Sequence, residues 1–246
     1  MAINETLRQK WIEAGYDRNM GSAIVVSPPL ADSLRVYHMT SAEFGISNIG
    51  LGRIKVARFS DLNDPFELMA LKFGERRVRE LIRNFKNEYD RRTGLLCFSA
   101  NWTNPVLWSH YGSRHRGICL GFDLKRKIAQ KVSYEDERIL ATLESEGELS
   151  ENLQDVLLRT KFRHWQYEEE SRVFVSLDDV LREDKLHFYE FDDNVRLTEV
   201  VLGPQCSLSL DAVRRLTRTQ HPHAVVFKAR LAFKSFAVVP DERTVP

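Results

Sequence analysis

Residues 95–122 read LLCFSANWTNPVLWSHYGSRHRGICLGF, and the fold class is decided here. Leu95 to Ser99 and Gly117 to Phe122 are compact apolar runs of the length expected for buried strands. Between them Asn104-Pro105 opens a short helix through Trp108 and Tyr111, the proline contributing a φ that a first helical turn accepts. Working upstream, Leu34 to Met39 reads as a strand. Thr40-x-x-Glu43 then has the form of a capping box for a helix that stops near Gly50. Arg53 to Phe59 is a further strand, and Ser60 to Pro65 is dense in turn formers. Val78, Leu81, Ile82, Phe85 and Tyr89 fall on one helical face. Downstream, a helix is expected over Glu137 to Lys161, with strands at Tyr167 to Ser176 and Thr198 to Leu202. A Gly203-Pro204 turn, a helix at Leu210 to Thr219 and a strand at Ala224 to Leu231 follow. Strands and helices alternate irregularly, with no internal period and no linker. We therefore expect one α+β domain over 31–246, preceded at 1–30 by a helical appendage carrying Leu7 and Trp11 and a connector.

The 246 residues are 43% hydrophobic and 29% charged, with 12 Gly and 8 Pro, which excludes disordered, collagen-like and repeat-array classes. A net charge of +1 gives no chain-wide field for nucleic acid or an anionic membrane. The balance is a cancellation between segments. Lys72 to Arg92 has eight basic and four acidic residues, Arg114 to Lys131 six and one, and Glu135 to Asp155 one and eight. A local basic surface can therefore still hold phosphates. Three cysteines, at 97, 119 and 206, share no CxxC spacing and read as reduced thiols. No apolar run approaches the roughly 20 residues of a membrane span, and Met1 to Met20 is charged throughout, so a cytoplasmic protein without membrane contact is expected.

Four polar clusters can carry chemistry. Tyr37-His38-Met39-Thr40 ends the first strand, where an imidazole, a hydroxyl and a helix N-terminus meet; its plainer reading is a cap and a core histidine. Asn63-Asp64-Pro65-Phe66-Glu67 brings a carboxamide and two carboxylates to one rigid turn, and as plainly it is an Asx-type turn with a phenylalanine plug. Trp108 to Gly117 packs Trp108, Tyr111, His110, His115, Arg114 and Arg116 together, a density that suits a planar ligand carrying phosphate or, equally, a helix with a core face. In Tyr167-Glu168-Glu169-Glu170-Ser171-Arg172, strand alternation places Glu168, Glu170 and Arg172 on one face. Two carboxylates there can orient a substrate hydroxyl and stabilise a developing cation, and the plainer reading pairs Glu170 with Arg172. There is no GxGxxG, GxxxxGK[ST], HExxH, GxSxG or paired CxxC.

Five blocks in order resemble the bacterial domain-of-unknown-function family 2971. They are Val36-Tyr37-His38-Met39-Thr40; Phe59-Ser60-x-x-Asn63-Asp64-Pro65-Phe66-Glu67; Cys97-Phe98-Ser99; Leu107 to Tyr111 with His115-x-Gly117 to Asp123; and Lys161-x-x-x-Trp165-x-Tyr167-Glu168-x-Glu170-x-Arg172. A looser resemblance, carried by Tyr-His-x-Thr on the first strand, a central Tyr and a late Glu at a strand start, is to the ADP-ribosyltransferase superfamily, DNA-modifying toxins included. It implies a mixed, mostly antiparallel split sheet flanked by helices, with NAD as substrate and no metal. In that carry-over His38 and Thr40 grip ribose, Tyr111 stacks on nicotinamide, and Glu170 or Glu168 is the catalytic carboxylate. Tyr37, Asn63, Asp64, Phe66, Ser99, Trp108, His115 and Arg172 complete the nucleotide site. The superfamily's arginine-serine-glutamate branch would use Arg35 and Ser99 with Glu168-x-Glu170 instead.

The function expected is therefore NAD-consuming ADP-ribosyl transfer or NAD hydrolysis, as a toxin or phage-defence effector with a nucleic-acid or protein acceptor. Two alternatives remain open. One is a metal-dependent phosphodiesterase or nuclease using Asp64, Glu67, Glu168 and Glu170 as oxygen ligands. The other is a non-catalytic nucleotide-sensing or interaction module.

Overall fold

The computed structural model describes residues 28–72, 76–140 and 149–245. The appendage expected over 1–30 lies almost wholly outside these, as does the middle of the helix expected over 137–161. In chain order the elements are β1 (Ser33–Thr40), α1 (Ala42–Leu51), β2 (Arg53–Val56), α2 (Arg76–Arg92), β3 (Thr93–Ser99), α3 (Pro105–His110) and β4 (Ile118–Lys125). There follow β5 (Gln130–Lys131), β6 (Ser133–Glu135), α4 (Glu151–Arg159), β7 (Thr160–Phe162), β8 (Glu170–Ser176), β9 (Leu181–Glu183) and β10 (Leu186–Glu190). Last come β11 (Val195–Leu202), α5 (Leu210–Gln220), β12 (Val225–Leu231) and β13 (Val238–Pro240). The protein is α+β with a mixed, mostly antiparallel set of strands. Its described residues form two compact units, neither of them continuous in sequence: those within Met1–Gly52, Asn101–Arg126 and Asp192–Pro246 make the first, those within Arg53–Ala100 and Lys127–Phe191 the second.

In the first unit the strands run in the order β13-β12-β11-β4-β1. Every pair is antiparallel except β11–β12, whose parallel pairing follows a crossover through α5. β4 lies between β1 and β11 and is buried from Ile118 through Leu124, which is why Ile118 to Phe122 is apolar instead of alternating and why Asp123 is buried against Arg35. Tyr37, Trp102, Trp108, Cys119, Val201, Phe227 and Val238 form the core. The cap of α1 is Ser41, whose Oγ accepts from Phe44 N–H at 3.2 Å; Thr40 is still paired in β1, opposite Ile118, so the expected Thr40–Glu43 capping box does not form, and Phe44 at the third helical position offers Ser41 no reciprocal partner.

The second unit holds an antiparallel ribbon β3-β8-β5, a three-stranded sheet β2-β10-β9 and a parallel pair β6–β7. Its core gathers Phe59, Leu68, Leu71, Ile82, Leu95, Leu157 and Leu158, and the apolar face of α2 supplies Val78, Phe85 and Tyr89. Two expectations fail here. Among the described residues of the helix expected over 137–161, only Glu151–Arg159 is helical; Thr160–Phe162 is strand paired with β6, and Ile139 bridges Leu71 in extended chain. The strand expected from Tyr167 begins only at Glu170, because Arg163–Glu168 is a 3₁₀ segment and Glu169 turns the chain at φ 45°. No helix among the described residues is long and apolar enough to cross a membrane.

Candidate functional site

Within the second unit three of the quoted sequence blocks converge on one buried ion network. Asp64 Oδ1 accepts from Phe66 N–H at 2.9 Å, and its carbonyl accepts from Glu67 N–H at 3.2 Å. The Asx-type turn is thus real for Asp64. It leaves Phe66 exposed under the Arg138 guanidinium and turns Glu67 inward, where it is buried.

Arg172, in β8, is the hub and is fully buried. Nη1 and Nη2 fork onto Glu67 at 3.1 and 2.6 Å, Nε and Nη2 reach Glu170 at 2.8 and 3.1 Å, and Nη1 also donates to the Leu158 carbonyl at 2.8 Å. A guanidinium has five N–H groups, and all are used. Lys161, on β7, sends Nζ to Glu168 at 2.7 Å and Glu170 at 3.0 Å, with Glu67 at 3.6 Å. Tyr134, on β6, accepts the Glu170 N–H at 2.8 Å, and Ser99 stands opposite Glu170 in the β3–β8 pairing. Trp165 places its ring 5.1 Å from Lys161 Nζ and 6.1 Å from the Tyr167 ring.

The electrostatics separate the carboxylates. Burial alone would raise Glu170, but the charges of Arg172 and Lys161, with hydrogen bonds from Arg172 and Cys97, bring it down to about 2. Glu67 is raised, its burial outweighing the Arg172 fork. For Lys161 burial is overcome by Glu170, Glu168 and Glu67, so the ammonium is held charged. Burial pushes the Tyr134 hydroxyl up to about 12, and burial with the Glu170 carboxylate lifts the Cys97 thiol well above its usual range.

Glu168 and Glu170 therefore meet, as expected, though through a shared lysine instead of strand alternation. For the metal-dependent alternative, Glu67, Glu168 and Glu170 do converge, but on the Lys161 ammonium, and Asp64 is committed to its turn.

The remaining expected residues, Tyr37, His38, Thr40, Trp108, Tyr111 and His115, belong to the first unit. Tyr37 and Trp108 are packed in its core, and the Trp108 indole donates to the Trp102 carbonyl at 2.6 Å. His38 and Thr40 share the opposite face of β1, both half-buried, and Tyr111 caps the C-terminus of α3. His115 Nε2 lies 3.2 Å from Ser109 Oγ, and burial lowers its pKa. Ser113, Arg114 and His115 are consecutive left-handed residues, at φ 47°, 54° and 68°. Arg35 holds a buried triad in this unit: Nε reaches Asp123 at 2.8 Å and Nη1 pairs with Glu199, a structural role that occupies the guanidinium.

Lys161, Trp165, Tyr134 and Cys97 were not among the expected site residues. Lys161, Trp165 and Cys97 stood as fixed letters in the quoted blocks; Tyr134, in the three-residue strand Ser133–Glu135, carried no signal. Comparison with protein-family models, curated proteins and solved structures gives no match.

Proposed function

We propose that the chain is an NAD-consuming enzyme of the ADP-ribosyltransferase or NAD-glycohydrolase type, with the ADP-ribosyltransferase-like fold that the sequence resembles. The observation that carries this reading is a carboxylate held ionised at the first residue of β8, sharing a lysine with a second carboxylate and bordered by Trp165 and Tyr167. In NAD the bond between nicotinamide and ribose breaks with its electron pair going to nicotinamide, which leaves neutral. The ribosyl carbon passes through an oxocarbenium-like state that the fixed negative charge stabilises. Water or an acceptor hydroxyl or amine then adds to that carbon and gives its proton to solvent. Trp165 and Tyr167 offer ring faces for nicotinamide.

The test is release of nicotinamide from NAD by the purified full chain, followed by mass spectrometry. Glu170→Gln is expected to cut the rate by about 100-fold or more, and Trp165→Ala to raise KM. Undiminished turnover in folded Glu168→Gln and Glu170→Gln variants would overturn the reading.

The saturation of Arg172 favours one second reading, a nucleotide-binding or interaction module in which the network braces the fold. A melting temperature raised by NAD without turnover would select it.

A further inference from the structure

The hairpin joining β12 to β13 ends in Leu231-Ala232-Phe233-Lys234-Ser235-Phe236-Ala237. Leu231 pairs with Val238 at its neck, and Ala232 N–H donates to the Ala237 carbonyl at 2.9 Å. At the tip Phe233 is 89% exposed and Phe236 101%, with Leu231 at 54%. Single exposed apolar residues are ordinary, but two wholly solvated rings within four residues of one tip form a patch that marks a docking surface. Cations are threaded through it. The Arg230 guanidinium sits 4.8 Å from the Phe233 ring centre, and Lys234 lies between the two rings in sequence. From Val225 to Pro240 there are three basic residues and no acidic one. The next acid, Asp241, is paired with Arg243 at 2.8 Å.

We propose that this tip docks single-stranded nucleic acid. Ring, cation and ring in succession match the alternation of base and phosphate along a strand, and exposed phenyl faces accept stacked bases of any identity. The Arg230 guanidinium lies close to the Phe233 ring, as a planar cation does, yet that ring stays 89% exposed and open to a base. An anionic lipid surface fits less well. A tip that sinks its rings into the acyl layer carries Lys234 in with them, where its charge loses water. An apolar protein surface would desolvate Lys234 and Arg230 in the same way. The inference stands apart from the NAD reading, since docking needs no turnover.

The experiment is fluorescence anisotropy of a fluorescein-labelled oligothymidylate titrated with the full chain at low ionic strength, without NAD. Binding is expected, weakening steeply as salt rises. Phe233→Ala/Phe236→Ala is expected to lose at least about tenfold in affinity. Lys234→Glu should weaken binding and flatten the salt dependence, and Phe236→Tyr should retain it. Because both phenylalanines are exposed, the variants should melt with the wild type, which keeps lost binding separate from lost fold. Absence of oligonucleotide binding, or equal binding by the folded double variant, overturns the proposal. So does binding confined to phosphatidylserine vesicles, or a self-association that the double variant abolishes.

Discussion

Arg172 and Glu170 carry opposite obligations: the guanidinium has no donor to spare, and the carboxylate is ionised only because that guanidinium and Lys161 surround it. Replacing Arg172 by Met would leave Glu67 and Glu170 as buried carboxylates short of a partner, at a cost of about 3–5 kcal/mol read from denaturant unfolding. The same residues set a pH dependence. Glu170 titrates lower in the folded state than its ordinary 4.5, so its contribution is complete above 4.5 and is lost as pH falls toward about 2. Glu67 titrates higher than 4.5, so its contribution is complete below that value and is lost as pH rises through its folded pKa. The combined contribution of these two carboxylates should therefore be greatest near pH 4.5. Melting curves should show Glu170→Gln flattening the acid limb and Glu67→Gln the limb above it.

At the scale of elements, the turn between α3 and β4 stores strain. Three successive non-glycine residues adopt left-handed φ, each costing about 1 kcal/mol relative to glycine. Gly117 then closes the turn so tightly that a Cβ would fall on the Thr40 carbonyl oxygen. Arg114→Gly should raise the melting temperature by about 2–4 °C, whereas Gly117→Ala should destabilise; differential scanning calorimetry separates the two.

Elements buried on both faces were legible from sequence. β3 and β4 announced themselves as compact apolar runs, β1 and the Thr198–Leu202 end of β11 were also read as strands, and the half-exposed α2 was read from one apolar stripe and α3 from Asn104-Pro105. The β9–β10 hairpin was not, because Leu181–Glu183 and Leu186–Glu190 are largely exposed and show no alternation. For the candidate site, the meeting of Glu168 and Glu170 was foreseen for a reason the backbone does not support. Aromatic residues were ambiguous for a physical cause: Tyr37 and Trp108 look alike in sequence whether they face a ligand or, as here, a core.

Across the whole molecule the three cysteines form no disulfide, Cys119 and Cys206 are buried, and burial lifts the thiols of Cys97 and Cys119 well above the usual range. A disulfide-exchange thiol reagent should react slowly with the native chain and count three thiols once guanidinium unfolds it. The near-zero charge likewise conceals structure, since the hairpin tip is locally basic while the chain sums to +1. The discontinuity of the first unit also governs how the ribosome delivers it. β4 emerges with β1 ready to pair, but its other edge faces β11, and all of residues 127–191 are made before Val195–Leu202 appears. At about 5–20 residues per second that interval is about 4–15 s. For that time the nascent chain carries an open apolar strand edge, the template on which neighbouring nascent copies aggregate and to which a chaperone would be recruited.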